Sequence, residues 1–309
     1  MGSLYNYPTL EEIDAYWSDA LSEVPQSVEP VKVEGREVLP NHTYDRHTGA
    51  KWLMFQGVDG VKFWCLWQPC GRPGLRKTLI HVPGYGTEVS AHPSLIHAGY
   101  NVMHINPRGY CGPKGFANPE WRSPEGGAMV LYRNLDKPEK YGYRFWFQDA
   151  VIAIRWLQTQ PNVADRFGFF GSSQGGGAAL LLGSILANEG IVGAVAADVP
   201  YLTNFRLAFE KENRGGYETV LSRLTEDEDQ FSKSFRTLGY VDTVAHAPRM
   251  NYPVLLTIGA DDETCPAYSI YPLYEELPNT RAVVELHGQG HAYTPPFPSL
   301  AEMWFRLYL

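Results

Sequence analysis

Short apolar runs of strand length recur along this chain, most followed by a glycine-rich or polar turn and then a stretch with helical spacing. Runs at 78–82, 101–106, 166–170, 192–198, 254–259 and 282–287 are rich in Val, Ile and Leu on both faces. Strands of that kind, alternating with helices predicted over 145–159, 175–188 and near 268–277 and 298–309, indicate a mostly parallel sheet covered on both sides. Near the start, Thr9-Leu10-Glu11-Glu12 reads as a capping box, with Leu10, Ile13, Trp17 and Leu21 at helical spacing behind it. An N-terminal helix over about 9–22 follows. Two aromatic-rich strands, 51–58 and 61–68, flank Asp59-Gly60, a hairpin turn. With a further early strand near Val33–Val38, about eight strands are expected, the first few antiparallel.

Two stretches break the alternation. Residues 111–144 are rich in Gly, Pro, Tyr and Trp, and residues 200–250 carry a charged helical segment that includes Glu226-Asp227-Glu228-Asp229. Insertions of this length in a compact domain are commonly lid-like or functional. The acidic run reads as a solvated helix face rather than a metal site. Trp121, Tyr132, Tyr141, Tyr143 and Trp146 suit either sugar stacking or core packing, with core the commoner outcome.

The chain has 309 residues, 44% of them hydrophobic, enough for one large α/β domain over 1–309. Its formal net charge of −8 and its scattered basic residues argue against nucleic acid as a partner. The opening residues lack a basic and apolar leader pattern, and no apolar run approaches membrane-spanning length. The cysteines Cys65, Cys70, Cys111 and Cys265 form no metal-ligand spacing. A protein with reduced thiols, a cytoplasmic location and no membrane or nucleic-acid partner is expected.

Candidate chemistry centres on Gly171-Ser172-Ser173-Gln174-Gly175, a G-x-S-x-G run between a predicted strand and a predicted helix. A tight turn there would leave room only for glycine beside the serine and push its Oγ clear of the backbone. Asp261-Asp262 follow the seventh predicted strand and His291 the eighth, so serine, acid and histidine arrive in order at one sheet edge. Ser173 is then the expected nucleophile, His291 its base, and an aspartate the group that orients the imidazole. Asp261 competes with Asp262 for that place, as does Asp198 after the sixth strand, and His287 competes with His291. The amides of Gln174 and of Tyr85, in His81-Val82-Pro83-Gly84-Tyr85-Gly86, are the expected oxyanion donors. No cofactor or metal is required. His81 and His104 lie in strands and read as satisfied core residues, while the pairs His42/His47 and His92/His97 lack zinc-site context.

These segments resemble the acetyl xylan esterases and cephalosporin C deacetylases of carbohydrate esterase family 7. The resemblance rests on Gly84-Tyr85-Gly86, Arg108-Gly109, Gly171-Ser172-Ser173-Gln174-Gly175-Gly176, the run from Ala197 to Leu202, Asp262-Glu263-Thr264-Cys265-Pro266 and Gly290-His291. It implies an α/β-hydrolase fold and a triad of Ser173, Asp262 and His291, choosing Asp262 over Asp261. It further implies an oxyanion hole at Tyr85 and Gln174 and removal of acetyl groups from small carbohydrate esters. A homo-oligomer, commonly a hexamer, is implied as well. Ala292 stands where the family places Glu after the histidine, and Tyr110 where it places Gln after Arg108-Gly109. A broader carboxylesterase or a peptidase of the same fold is the alternative within enzymes, and a non-catalytic interaction protein the alternative outside them.

Overall fold

The computed structural model describes residues 6–31, 49–86, 91–112, 115–116, 119–122, 129–211, 217–221, 224, 228–291 and 294–309. The expected strand near Val33–Val38, the position of Ala292 and part of the acidic run lie outside these residues. Eight strands build one sheet: β1 (Lys51–Gln56), β2 (Lys62–Gln68), β3 (Arg76–Val82), β4 (Asn101–Ile105), β5 (Val163–Ser172), β6 (Val192–Asp198), β7 (Val254–Gly259) and β8 (Arg281–Leu286). Their spatial order is β1-β2-β4-β3-β5-β6-β7-β8. Only β2 runs against its neighbours, pairing antiparallel with β1 and with β4, and every other pairing is parallel. Over the described residues this is the architecture expected from the alternation of strands and helices.

Alternate strand residues face opposite layers. Ile80, Met103, Phe169, Val195 and Leu256 belong to the larger core, and their neighbours Leu79, Val102, Phe170, Ala194 and Leu255 to the smaller. The smaller core is closed by α2 (Pro93–Ala98) and α8 (Phe297–Tyr308), through Ile96 and Phe305. The larger takes α3 (Gly142–Gln158) and α4 (Gln174–Ile185). Helix α1 (Leu10–Ser22) opens with both hydrogen bonds of the capping box and lays Ile13, Trp17 and Ala20 against that layer. Burying side chains as large as Ile13 and Trp17 stabilises the attachment by roughly 2–3 kcal/mol each, and Trp17 Nε1 donates to the Tyr240 carbonyl at 3.0 Å.

Several boundaries differ from those expected, and two of them have a clear structural cause. Strand β5 starts at Val163 rather than Arg166, because a register shift between Arg76 and Thr78 lets Val163 pair with Arg76 before the regular run begins at Phe167. Helix α3 starts at Gly142 rather than 145, and its first turn is buried, Tyr143 and Arg144 included.

Among its described residues, the 111–144 excursion holds a two-stranded ribbon (Cys111–Gly112 with Gly115–Phe116) and three single turns of 3-10 helix. Its Trp121, Tyr141 and Tyr143 are buried, as is Trp146 in α3, so these aromatics serve the core. The 200–250 stretch contributes α5 (Phe205–Glu210), α6 (Glu228–Gly239) and shorter turns, and Glu228 and Asp229 are exposed in the first turn of α6. α7 (Ala267–Glu276) follows β7. Beneath the hairpin, buried Arg108 bonds both carboxylate oxygens of Asp149 at 2.6 and 2.8 Å and Asp59 of the hairpin turn at 2.6 Å. One guanidinium thereby ties the antiparallel end of the sheet to α3.

Candidate active site

Parallel strands deliver their carboxyl ends to a common edge, and the serine, aspartate and histidine segments meet there. Ser173 sits between β5 and α4 with φ +55° and ψ −121°, a costly conformation for a residue with a Cβ. Three backbone bonds hold it: its N–H donates to the Asp198 carbonyl at 2.9 Å, and its carbonyl accepts from Gly177 at 3.1 Å and Tyr201 at 2.9 Å. The flanking glycines are a steric requirement. A Cβ on Gly175 would stand 2.1 Å from the Val82 carbonyl oxygen, and one on Gly171 2.5 Å from the same atom.

Asp262 follows β7 with its side chain fully buried. Its Oδ1 accepts from the backbone N–H groups of Thr264 and Cys265, both at 2.8 Å, which fixes the carboxylate plane. Its Oδ2 lies 2.8 Å from His291 Nδ1, and His291 Nε2 lies 3.0 Å from Ser173 Oγ. A carboxylate only accepts, so Nδ1 carries the imidazole proton and Nε2 presents a lone pair to the serine hydroxyl. The structure thus brings Ser173, His291 and Asp262 into one hydrogen-bonded chain. Asp261 is exposed and joins only through its amide, which donates to the Gln289 carbonyl at 3.0 Å, and His287 is exposed at the end of β8.

Asp198 also reaches this edge, but its oxygens are used by hydroxyls. Ser172 donates to Oδ2 at 2.7 Å, while Thr257 donates to Oδ1 at 2.5 Å and Thr294 donates to the same atom. Burial raises its pKa, and the three hydroxyls oppose that shift.

Gln174 is the first residue of α4, where backbone N–H groups lack intrahelical partners, and its side chain is turned inward to accept from Tyr143 at 3.0 Å. Tyr85 lines a cavity of about 540 Å³ together with Ser173, His291, Phe170, Val199 and Phe297. Tyr110 brackets that residue, its hydroxyl donating to the Gly84 carbonyl at 2.8 Å and accepting from the Gly86 amide at 2.6 Å. Nothing in the local pattern around Tyr110 signals this clamp, since its two partners lie some 25 residues earlier.

The histidines depart from expectation in one respect. His104 is buried and hydrogen-bonded, with Nε2 2.9 Å from Asn106 Oδ1 and Nδ1 2.7 Å from His81 Nδ1. His92 comes against this pair, its ring centroid 4.3 Å from that of His81, and both line the cavity. Burial pushes the pKa of His92 down to about 3 and that of His104 to about 4, and holds His81 well below the ordinary imidazole value. The sequence paired His92 with His97 and found no site. Its actual neighbours come from β3 and β4.

Residues 5–307 match the family described as acetyl xylan esterase (AXE1). Over 143 residues the chain is 29% identical to an acetyl esterase, Axe7A, of Xylanibacter ruminicola, covering 46% of this chain but only 31% of that relative. It therefore spans about a third of that protein's length. Among solved structures, acetyl xylan esterase 1 from Thermoanaerobacterium sp. JW/SL YS485 superposes with a TM-score of 0.81 at 24% identity, covering 100% of this chain and 97% of that one. The acetyl xylan esterase from Paenibacillus sp. R4 gives 0.80 at 21% identity, covering 100% and 99%. At these identities the structural matches speak for the fold, which is that of the α/β-hydrolase-like acetyl xylan esterases.

Proposed function

The chain belongs to the acetyl xylan esterase family, and from that premise we propose that it hydrolyses short-chain acyl esters, chiefly acetyl esters of carbohydrates, through an acyl-enzyme on Ser173. The observation that carries this reading is the chain Ser173 Oγ, His291, Asp262, set at a strained turn in the wall of a cavity.

Ser173 Oγ attacks the ester carbonyl carbon while its proton passes to His291 Nε2. The carbonyl oxygen becomes an oxyanion, which the amides of Tyr85 and Gln174 receive. The imidazolium that forms is stabilised by Asp262, whose orientation is set by two amides rather than by a rotatable partner. Collapse breaks the bond to the alcohol oxygen, which takes the proton back from His291 and leaves. Water then repeats the sequence on the acyl-enzyme, releasing the carboxylic acid and restoring Ser173. Phe170, Val199 and Phe297 in the cavity wall suit an apolar acyl group.

Ser173→Ala should lower turnover of p-nitrophenyl acetate by roughly 10⁴-fold or more, with folding retained. Residual activity within tenfold of the parent would place the nucleophile elsewhere. In the same assay acetate should outpace octanoate, and an acetylated xylo-oligosaccharide should be deacetylated. Faster octanoate turnover would remove the short-acyl part of the reading while leaving the serine in place.

A further inference from the structure

We propose that His81, His92 and His104 form a binding site for a borderline-soft divalent metal ion of the Zn²⁺ class, open to the cavity that Ser173 lines. The proposal stands on the side-chain geometry and does not depend on the ester reading.

His81 and His104 are register partners on the adjacent parallel strands β3 and β4, so their side chains leave the same face side by side. His92 arrives from a separate segment, at the residue that precedes α2. One ligand nitrogen from each imidazole lies within 4.8 Å of the others. Three histidines from three segments seldom converge by packing alone, since each buried imidazole ordinarily meets its hydrogen-bonding needs locally.

The tautomers suit ligation. Asn106 Oδ1 can only accept, so His104 Nε2 carries the proton and Nδ1 offers a lone pair. This is the outer-sphere arrangement that orients metal-bound imidazoles. That lone pair faces His81 Nδ1 at 2.7 Å, a gap that holds a single proton. Moving the His81 proton from Nδ1 to Nε2 turns both lone pairs toward one point without net proton release. Bond lengths of about 2.0–2.1 Å in a tetrahedral site require nitrogens about 3.3 Å apart. The two nitrogens must part from 2.7 Å to about 3.3 Å, and the rings must tilt so that both lone pairs meet at the ion. Burial already keeps all three imidazoles neutral, the ligand form.

The surroundings choose the metal class. Among the described residues that line the cavity none is Asp or Glu, so an oxygen-seeking ion such as Mg²⁺ or Ca²⁺ finds no carboxylate among them. Imidazole donors suit Zn²⁺, Cu²⁺, Ni²⁺ and Co²⁺. Because His81 and His92 both line the cavity, the fourth position faces it, giving three protein ligands and one open site. An ion held this way tethers the start of α2 to the sheet and so fixes one wall of the cavity.

Chelator-treated protein titrated with Zn²⁺ by calorimetry, and with Co²⁺ by visible absorption, tests the assignment. One equivalent should bind per chain, with the absorption of four-coordinate cobalt and a rise in melting temperature as metal is added. His92 is half-buried, so His92→Ala removes a ligand without opening the core, and its affinity should fall roughly tenfold or more, with far-UV circular dichroism unchanged. Among the described residues the other grouping of metal-ligating donors is Asp262, Cys265 and His291. His291→Ala must therefore keep the parent's affinity. Absence of binding in the parent, or binding that survives His92→Ala and disappears in His291→Ala, overturns the proposal.

Discussion

Asp198 ends β6 and Asp262 follows β7, so two buried carboxylates leave neighbouring strands at one edge of the sheet. The amides of Thr264 and Cys265 occupy one oxygen of Asp262 and leave the other for an imidazole. Both oxygens of Asp198 are taken by hydroxyls of Ser172, Thr257 and Thr294, which belong to the serine turn, the strand before Asp262 and the segment after His291. Strand position alone thus does not select the acid. Rigid loop amides that spare an oxygen make Asp262 available to a ring, whereas Asp198 fastens together the three segments that carry the proposed triad.

Exchanging the acids one at a time tests that division. Asp262→Asn should cut kcat on an aryl acetate by about 10⁴-fold, because an amide cannot hold the imidazole in the required tautomer. Asp198→Asn should cost about 10- to 100-fold in kcat with little change in KM, the signature of a loosened geometry. Equal losses in the two variants would erase the distinction drawn between them.

Stability separates them further. Burial raises the pKa of Asp198, so the folded state holds that proton more tightly than the unfolded chain. The extra stability is fully present below the unfolded carboxylate value of about 3.9 and is lost as pH rises through the raised folded value. The stability gap between parent and Asp198→Asn should accordingly narrow from acid to neutral pH in urea unfolding. A gap that widens with pH would mean the carboxylate is a stabilised ion. The smallest change, Thr257→Val, removes one of three hydroxyl donors and should cost about 1 kcal/mol while leaving kcat within roughly threefold.

Much of this edge is written locally in the chain. Glycines at 171 and 175 declare the turn because carbonyl oxygens approach where a Cβ would be, and periodicity alone places the strands that bring Ser173, Asp262 and His291 together. The hydroxyl partners of Asp198, the clamp of Tyr110 on the Tyr85 turn and the approach of His92 to His81 left no such trace. Each joins residues about 10 to 100 positions apart through side chains whose types are common, and hydrophobic spacing reports which face a residue takes, not whom it meets. The early starts of β5 and α3 escaped for a related reason, since a register shift and a buried first turn are set by neighbouring elements.

Ser173 can keep φ +55° only while Asp198 accepts its amide proton and Tyr201 donates to its carbonyl, and both belong to the end of β6 and beyond. The turn therefore has no reason to exist in a chain where β5 and β6 are not yet paired. The serine's geometry and the pairing of two central strands form one cooperative unit, and its reactivity reports whether those strands are joined.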